Sequence, residues 1–186
     1  MQKPRIAPVT DPSPEVAEML SKTLARDGKP LNIFATVAHN PMVLKQFNRL
    51  GGQLLRRSSF GEREREVVIL RVGWRCRSVY EFGQHTLIGL ASGLSQDDVA
   101  ALTHEDPGDR WSPRELDFIA AADDLCLHGE VSEPTWDRLA AQLSEAELVE
   151  LVMLAGFYRL VSGSLRSFGV QLDEGVPGWP AGAEGV

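Results

Sequence analysis

The sequence predicts an all-α protein, and two observations support this. Signals for the start of a helix recur along the chain, and the apolar residues between them follow the 3.6-residue period of a helix. A convincing alternation of period two is absent, and the Asp27-Gly28 pair stands between a helical pattern and Lys29-Pro30 rather than between two strands. The length of 186 residues favours one globular unit with at most a short appendage.

Both ends of the chain are rich in proline and glycine. The start contains Pro4, Pro8, Pro12 and Pro14, and the end contains Pro177, Gly178, Pro180, Gly182 and Gly185. Such segments bury little surface and cannot continue a helix. We therefore expect a Pro-rich N-terminal arm at residues 1–14, an all-helical domain at residues 15–172 and a flexible C-terminal tail at residues 173–186.

Serine residues mark the predicted helix starts in order along the chain. In Ser13-Pro14 and Ser112-Pro113 a capping hydroxyl precedes a proline at the first helical position, where the missing N–H costs nothing. A further start is predicted at Ser132-Glu133-Pro134. The spacing of a capping box occurs at Ser59-x-x-Glu62, Ser95-x-x-Asp98 and Ser144-x-x-Glu147.

One predicted helix is apolar on more than one face. Between Ala146 and Val161 the apolar residues are Leu148, Val149, Leu151, Val152, Met153, Leu154, Phe157, Leu160 and Val161. Such a helix is either central in its own domain or shared with a neighbouring subunit. We expect a subunit interface to be part of the explanation.

The densest group of polar residues lies on two consecutive predicted helices. The first runs from about Glu62 to Trp74, and the second starts near Ser78 and stops before Gly93. On the second helix Ser78, Glu81 and His85 fall on one stripe of the helical period.

Glu66 lies on the first of these helices beside an apolar run, so its carboxylate is expected to be drawn toward the interior. A half-buried carboxylate that faces an imidazole can pass a proton near neutral pH. A structural interpretation stands beside this one: Ser78-x-x-Glu81 is itself a capping box, and His85 with Glu81 forms an ordinary i,i+4 pair.

The composition excludes several classes of protein. The formal net charge of −7, spread along the chain, disfavours binding to nucleic acid. Neither a basic-then-apolar leader nor an apolar run of about 20 residues is present, so we expect no membrane association. Cys76 and Cys126 lie fifty positions apart, too few and too scattered for a secreted disulfide framework. We expect a cytoplasmic protein.

These residues resemble the carboxymuconolactone decarboxylase / alkylhydroperoxidase-D-like (AhpD-like) family, whose peroxidase branch carries the pattern Glu-x11-Cys-x2-Cys-x3-His. Glu66 and His85 match the glutamate and the histidine without a gap. The resemblance extends over about residues 30 to 172 and includes Asn32-Ile-Phe, Asn40-Pro41, Leu50-Gly51-Gly52, Tyr80-Glu81-Phe82-x-x-His85 and Ala91-Ser-Gly-Leu-Ser95. It implies an all-α AhpD-like domain that forms a homo-oligomer, as a trimer, dimer or hexamer.

The chain departs from the peroxidase pattern at both cysteine positions, which are Ser78 and Glu81 here. A hydroxyl and a carboxylate cannot carry out thiol–disulfide exchange. Cys76 precedes the second helix and Cys126 lies far along the chain, so we expect no dithiol-dependent peroxidase activity. A peroxide-sensing role for Cys76 alone, with Arg75 and Arg77 lowering its pKa, stays open.

What the resemblance then implies is a cofactor-free lyase or isomerase that acts on a small organic acid or lactone. In this scheme His85 donates or accepts the proton, Glu66 orients it or is the second acid–base group, and Tyr80 or Glu81 completes the site.

A substrate carboxylate would need a cationic partner, for which Arg71 or Arg75 are the nearest candidates, with Ser78 beside them. Two alternatives remain. Glu66, Glu81 and His85 could bind a metal, which His39 could join through the fold. The chain could also be a non-catalytic binding or assembly module.

Overall fold

The structure is a computed structural model that describes residues 3–183. Within these residues helices dominate, which confirms the predicted all-α class. In chain order the elements are α1 (Pro14–Leu20), β1 (Ala25–Arg26), β2 (Lys29–Pro30), α2 (Asn32–Val37), α3 (Pro41–Arg56), α4 (Glu62–Arg75), α5 (Val79–Ala91), α6 (Gln96–Ala101), α7 (Pro113–Leu127), α8 (Glu133–Ala140) and α9 (Glu145–Phe168).

The short hairpin β1–β2 was not predicted. Its two strands pair antiparallel across Asp27-Gly28, and both turn residues have positive φ, 50° and 74°. Asp-Gly is a strong signal for this kind of turn. Strands of two residues are too short to show an alternation, so the sequence pattern around the turn is not that of a hairpin.

Most of the predicted helix starts are confirmed by hydrogen bonds at the caps. The side chains of Ser13, Ser95, Ser112 and Ser144 each accept a bond from a backbone N–H of the first turn. The prediction at Ser59 was wrong, because α4 begins after Gly61 and Glu64 Oε2 accepts from the Gly61 N–H at 3.1 Å. Ser59 instead donates to Glu150 on α9.

Helix α4 lies at the centre of the domain and packs against α5, α7 and α9. Val68, Ile69 and Val72 enter the larger hydrophobic cluster with residues of α7 and α9. Val67 and Leu70 face a second cluster, which includes residues of α5, α6 and α7. Because apolar neighbours cover α4 on several sides, its polar residues in mid-helix are forced into the interior.

Helix α9 is longer than predicted, 24 residues against the expected span from Ala146 to Val161. By length and composition it could cross a membrane, which the sequence analysis did not expect, although the core helix of a soluble protein passes the same test. Its inner face supplies Leu151, Leu154 and Leu165 to the core, while Leu160 on its outer face is largely exposed.

The predicted N-terminal arm and C-terminal tail both pack on the helical domain. The Arg5 and Ile6 N–H groups donate to the Phe168 carbonyl at 2.9 and 3.0 Å. On the other side, the Trp179 ring lies 4.8 Å from the ring of Phe82 on α5. Both segments therefore contact the helical domain, while none of their described residues, 3–14 and 173–183, is fully buried. The ends of both, residues 1–2 and 184–186 with Gly185, lie outside the described residues.

Candidate functional site

A buried glutamate–histidine pair joins α4 to α5. The Nδ1 atom of His85 lies 2.6 Å from Oε2 of Glu66. Glu66 is fully buried, and His85 is 8% exposed. The sequence analysis expected these two residues to come together, and the structure brings them together.

Close packing of α4 and α5 makes this contact possible. A Cβ atom added at Gly89 of α5 would lie 3.7 Å from Glu66 Cβ, 3.4 Å from Leu70 Cδ1 and 2.8 Å from Leu94 Cδ1. The missing side chain at Gly89 thus lets α5 approach α4 one turn beyond His85. At this distance a glutamate side chain on one helix reaches the imidazole on the other.

Glu81 lies one turn before His85 on α5 and is almost completely buried. Its Oε1 atom accepts a hydrogen bond from the Ser162 hydroxyl of α9 at 2.9 Å, whereas Oε2 has no hydrogen-bond partner. Burial raises the pKa of Glu81 well above its usual value; the Ser162 bond opposes this, and the nearby charges of Cys76 and Glu66 add to it. The structure therefore favours a protonated Glu81 at neutral pH.

The predicted capping box at Ser78 and Glu81 does not form. Ser78 is the N-cap residue of α5, but it makes no side-chain capping bond. Its buried Oγ atom has no hydrogen-bond partner. Glu81 points into the core toward Ser162 instead of turning back to the backbone, so the structural interpretation of this pair was wrong.

Tyr80 is tied into the domain by its hydroxyl group. The hydroxyl donates to Oδ2 of Asp173 and accepts a bond from the Ile33 N–H at 3.2 Å. Burial, and next the Asp173 carboxylate, raise the pKa of Tyr80. These bonds connect α5 to α2 and to the C-terminal segment, and they hold Tyr80 at the edge of the site in its neutral form.

A cavity of about 300 Å³ opens beside His85. Glu81, Tyr80 and His85 line it, whereas Glu66 lies behind the imidazole. Its apolar walls include Phe34, Phe47, Ile88, Phe157 and Tyr158, and its other lining residues include Lys22, Arg26, Asn48, Arg56 and Gln84. The volume is at the lower end of the range for ligand sites, which fits a small molecule.

Tyr158 was not predicted as a site residue. Its ring packs edge-on against His85 with 4.9 Å between the ring centroids. Burial, and next the carboxylates of Glu66 and Glu81, raise its pKa well above the usual value. Tyr158 lies on α9, the helix that was predicted to be apolar on more than one face. In the sequence its phenol could not be distinguished from a core aromatic residue.

The two predicted substrate-binding residues do not line the cavity. Arg71 is fully buried, and its guanidinium donates to the Asp123 carboxylate and to the carbonyls of Leu102, His104 and Glu105. The other arginine considered, Arg75, also donates to Asp123. Ser78 lies at the buried N-terminus of α5. The cations at the cavity are instead Lys22, which lies between α1 and β1, Arg26 of β1, and Arg56 at the end of α3.

The structure offers no ligand set for the metal alternative. Within residues 3–183, no three His, Cys, Asp or Glu side chains are grouped so that they could hold a metal ion. His39 does not join the site, because its Nε2 atom lies 2.9 Å from the Ala7 carbonyl oxygen at the N-terminal segment.

The fold and the site together define an all-helical, AhpD-like domain with a buried glutamate–histidine pair on two consecutive helices. Residues 41–124 match the model of the carboxymuconolactone decarboxylase family. This segment carries α3 to α6, most of α7 and the Glu66–His85 pair, and its match confirms the predicted resemblance to that family. The comparison with curated proteins found no match.

Solved structures with the same fold cover almost the whole chain. An uncharacterized peroxidase-related protein from Silicibacter sp. TM1040 aligns with a TM-score of 0.80 and 15% identity, over 96% of this chain and 98% of that chain. The alkylhydroperoxidase AhpD core protein from Ralstonia eutropha JMP134 is also described as an uncharacterized peroxidase-related protein. It aligns with a TM-score of 0.79 and 16% identity, over 91% of this chain and 92% of that chain.

A third neighbour has a stated activity. The debrominase Bmp8 aligns with a TM-score of 0.70 and 13% identity, over 91% of this chain and 92% of that chain. A variant of that protein has also been solved with 2,3,4-tribromopyrrole. At these identities the likeness establishes a shared fold.

Proposed function

We propose that the cavity beside His85 is the active site of a cofactor-free lyase or isomerase that moves a proton on a small organic acid or lactone. The observation that carries the proposal is the buried contact of 2.6 Å between Glu66 and His85, with the imidazole at the cavity wall. A carboxylate that accepts a bond from one ring nitrogen fixes the tautomer and leaves the other nitrogen as a base.

In the proposed reaction His85 Nε2 takes a proton from a carbon next to the substrate carbonyl. Glu66, which accepts the bond from Nδ1–H, stabilises the imidazolium that forms. Glu81 supplies the complementary group, because a protonated carboxyl can donate to the developing enolate oxygen. Two carboxyl groups in different environments thereby take opposite roles.

The lining of the cavity supports an anionic, partly apolar substrate. Arg26 and Arg56 replace Arg71 and Arg75 as the proposed partners of the substrate carboxylate. The aromatic walls would hold a ring or another apolar part. The debrominase structure, in which the same fold holds a small planar ring, agrees with this size class.

The proposed partners are those that the sequence analysis expected, a small-molecule substrate and further copies of this chain. The proposed location is the cytoplasm. The outer face of α9 supports self-association. Val149, Met153 and Leu160 are 65%, 47% and 57% exposed, and they recur at helical spacing with Gly156 and Gly163, where an added Cβ would meet nothing.

Deuterium exchange measures the proposed step directly. Small carboxylic acids and γ-lactone acids are first screened for binding by thermal shift, and each ligand found is then incubated with the protein in D₂O. We expect ¹H NMR to show loss of the proton next to the carbonyl. His85→Gln should slow this exchange by about 100-fold or more, and Glu66→Gln by a smaller factor.

His39→Gln is the matched control, because that histidine contacts the Ala7 carbonyl and does not line the cavity. Its exchange rate should equal that of the wild type. Full exchange in a Glu66→Gln/His85→Gln double variant would refute the proposal. Ligands that bind in the cavity without exchange or product would favour the binding-module alternative.

A further inference from the structure

The two cysteines, which are fifty positions apart in sequence, are neighbours in the fold. Cys76 follows the last residue of α4, and Cys126 lies in the last turn of α7. Their Sγ atoms are 3.8 Å apart, and both side chains are half-buried. The expectation that Cys126 is too far away to act with Cys76 was therefore wrong, because α4 and α7 pack side by side and their C-terminal ends meet.

The two thiols are in unequal environments. The hydrogen bond with Cys126, and then the charges of Arg159 and Arg166 and the Ser162 hydroxyl, lower the pKa of Cys76 to about 7 against the opposing effect of burial. The same bond and burial raise the pKa of Cys126. A thiolate at Cys76 would thus be the nucleophile of the pair, since only the thiolate attacks a disulfide.

Exposed cations lie near Cys76. Arg77 follows it in sequence, and Arg159 and Arg166 come from α9; all three are exposed. Arg166 Nη1 donates to the Cys76 carbonyl oxygen at 3.0 Å, which fixes this arginine beside the thiol. Such a group of guanidinium ions attracts carboxylate-bearing molecules.

We propose that Cys76 and Cys126 form a redox-active dithiol that exchanges with small, carboxylate-bearing disulfides. The site is separate from the two positions of the family pattern, Ser78 and Glu81, and neither cysteine lines the cavity beside His85.

The exchange proceeds in two balanced steps. The Cys76 thiolate attacks one sulfur of the external disulfide, which forms a mixed disulfide and expels one external thiolate. Cys126, after losing its proton to solvent or to that thiolate, attacks the Cys76 sulfur and expels the second external thiolate. The protein dithiol is oxidised to a disulfide, and the external disulfide is reduced to two thiols.

The distance is suitable for the second step. A disulfide bond needs the sulfur atoms at about 2.05 Å, so they must approach by roughly 1.8 Å. Both residues lie at or beyond a helix end, where the chain can move by this amount without unpacking the middle of a helix. Closure would join the C-terminal ends of α4 and α7.

Exchange with oxidised glutathione tests the proposal on the full chain. The reduced protein is mixed with oxidised glutathione, quenched with acid, alkylated and measured by intact mass. We expect both thiols to disappear, the mass to fall by two hydrogens, and no glutathione to remain attached. In Cys126→Ser a stable glutathione adduct should accumulate on Cys76, whereas Cys76→Ser should react about tenfold more slowly.

Arg159→Gln separates the role of charge from that of the thiol pair. This exposed substitution should slow the reaction with glutathione disulfide by about tenfold, whereas the reaction with the neutral 2-hydroxyethyl disulfide should slow by no more than about twofold, through the smaller fraction of Cys76 thiolate. Circular dichroism confirms that each variant is folded. Wild-type protein that ends with glutathione adducts on both cysteines, or equal reaction of the two serine variants, would overturn the proposal.

Discussion

At the scale of single residues, the site depends on two carboxyl groups that the interior treats differently. Each has one oxygen with a hydrogen-bond partner and one without, but Glu66 faces an imidazole at 2.6 Å and has the Arg65 guanidinium 3.9 Å from its other oxygen, whereas Glu81 has only the hydrogen bond from a serine. A buried carboxyl group without a cation stays neutral more readily than it ionises. We therefore expect that the buried Glu81 carboxyl group lowers the free energy of unfolding, and that it is kept for its function.

Glu81→Gln is expected to increase the free energy of unfolding at neutral pH. The pKa of Glu81 is raised in the folded protein, so its favourable contribution is complete below the unfolded pKa of about 4.3 and is lost as the pH rises toward the folded pKa. Glutamine does not ionise, so the variant does not lose stability in this way as the pH rises. Its advantage should be near zero at pH 4 and reach about 1–3 kcal/mol at pH 7, as measured by urea denaturation.

Glu147→Gln provides the control with the opposite sign. Its exposed carboxylate caps α9, and bonds from the Ser144 backbone N–H and hydroxyl lower its pKa. This contribution is present above the unfolded pKa and lost on acidification, so the variant should be less stable at pH 7 and equal to the wild type at low pH. A constant effect of Glu81→Gln from pH 4 to 8 would show that Glu81 is not protonated as described.

At the scale of elements, α4 and α7 are joined by two arginines on one aspartate. Arg71 and Arg75 each donate from Nε and Nη2 to the two oxygens of Asp123, at 2.6 to 2.8 Å. Arg71 also donates to three carbonyls after α6, and both guanidinium groups stack on Trp74. This network fixes the helix that carries Glu66 and explains why Arg71 has no donor left for a substrate.

Asp123→Asn should lower the free energy of unfolding by about 3 kcal/mol or more, because it leaves the buried Arg71 guanidinium without its anion and leaves Arg75 with the exposed Glu105 as its partner. The adjacent Asp124→Asn is the matched control. Asp124 accepts bonds from the N–H and the hydroxyl of Ser132 at the start of α8, so its loss should cost about 1 kcal/mol. Equal costs for the two variants in urea denaturation would contradict the role assigned to Asp123.

The C-terminal segment packs directly on α5 through Gly83. A Cβ atom at this position would lie 2.2 Å from the Pro177 carbonyl oxygen and 2.8 Å from Val176 Cγ1. Both distances are too short for real atoms, and the first involves backbone. Asp173, a few residues earlier, accepts from Tyr80, Gln84 and the Asn32 N–H, which ties the same segment to the cavity wall.

Gly83→Ala should lower the free energy of unfolding by about 1–3 kcal/mol, because residues 176–177 must move away from α5. The control is the same substitution in a chain that ends after Asp173, which removes the clash and keeps the Tyr80 partner. There it should be neutral or stabilising by up to about 1 kcal/mol, since alanine favours a helix over glycine. Equal costs in both chains would show that the segment does not rest on Gly83.

At the scale of the whole molecule, the exposed apolar face of α9 is the surface that self-association of this chain is proposed to bury. Leu160→Glu places a charge at the middle of this face and should convert an oligomer into smaller species in sedimentation experiments. Leu127→Glu, at an equally exposed leucine at the end of α7, should leave the mass unchanged. A monomeric wild type, or the same mass for wild type and Leu160→Glu, would refute the proposed interface.

The sequence alone determined the features that depend on local pattern. Helix starts at Ser95, Ser112 and Ser144 follow from capping chemistry, and the spacing from Glu66 to His85 places the pair on two consecutive helices. It also identified the carboxymuconolactone decarboxylase segment. These predictions held because helical period, caps and motif spacing are properties of neighbouring residues.

Only the tertiary structure decided which distant surfaces meet. It brought Cys126 to Cys76, turned Arg71 toward Asp123, directed Glu81 to Ser162 and packed Trp179 on Phe82. Each of these contacts joins elements that are far apart in the chain. A side chain that could cap a helix or bind a ligand is committed to one role only when the packing of helices determines which polar groups it can reach.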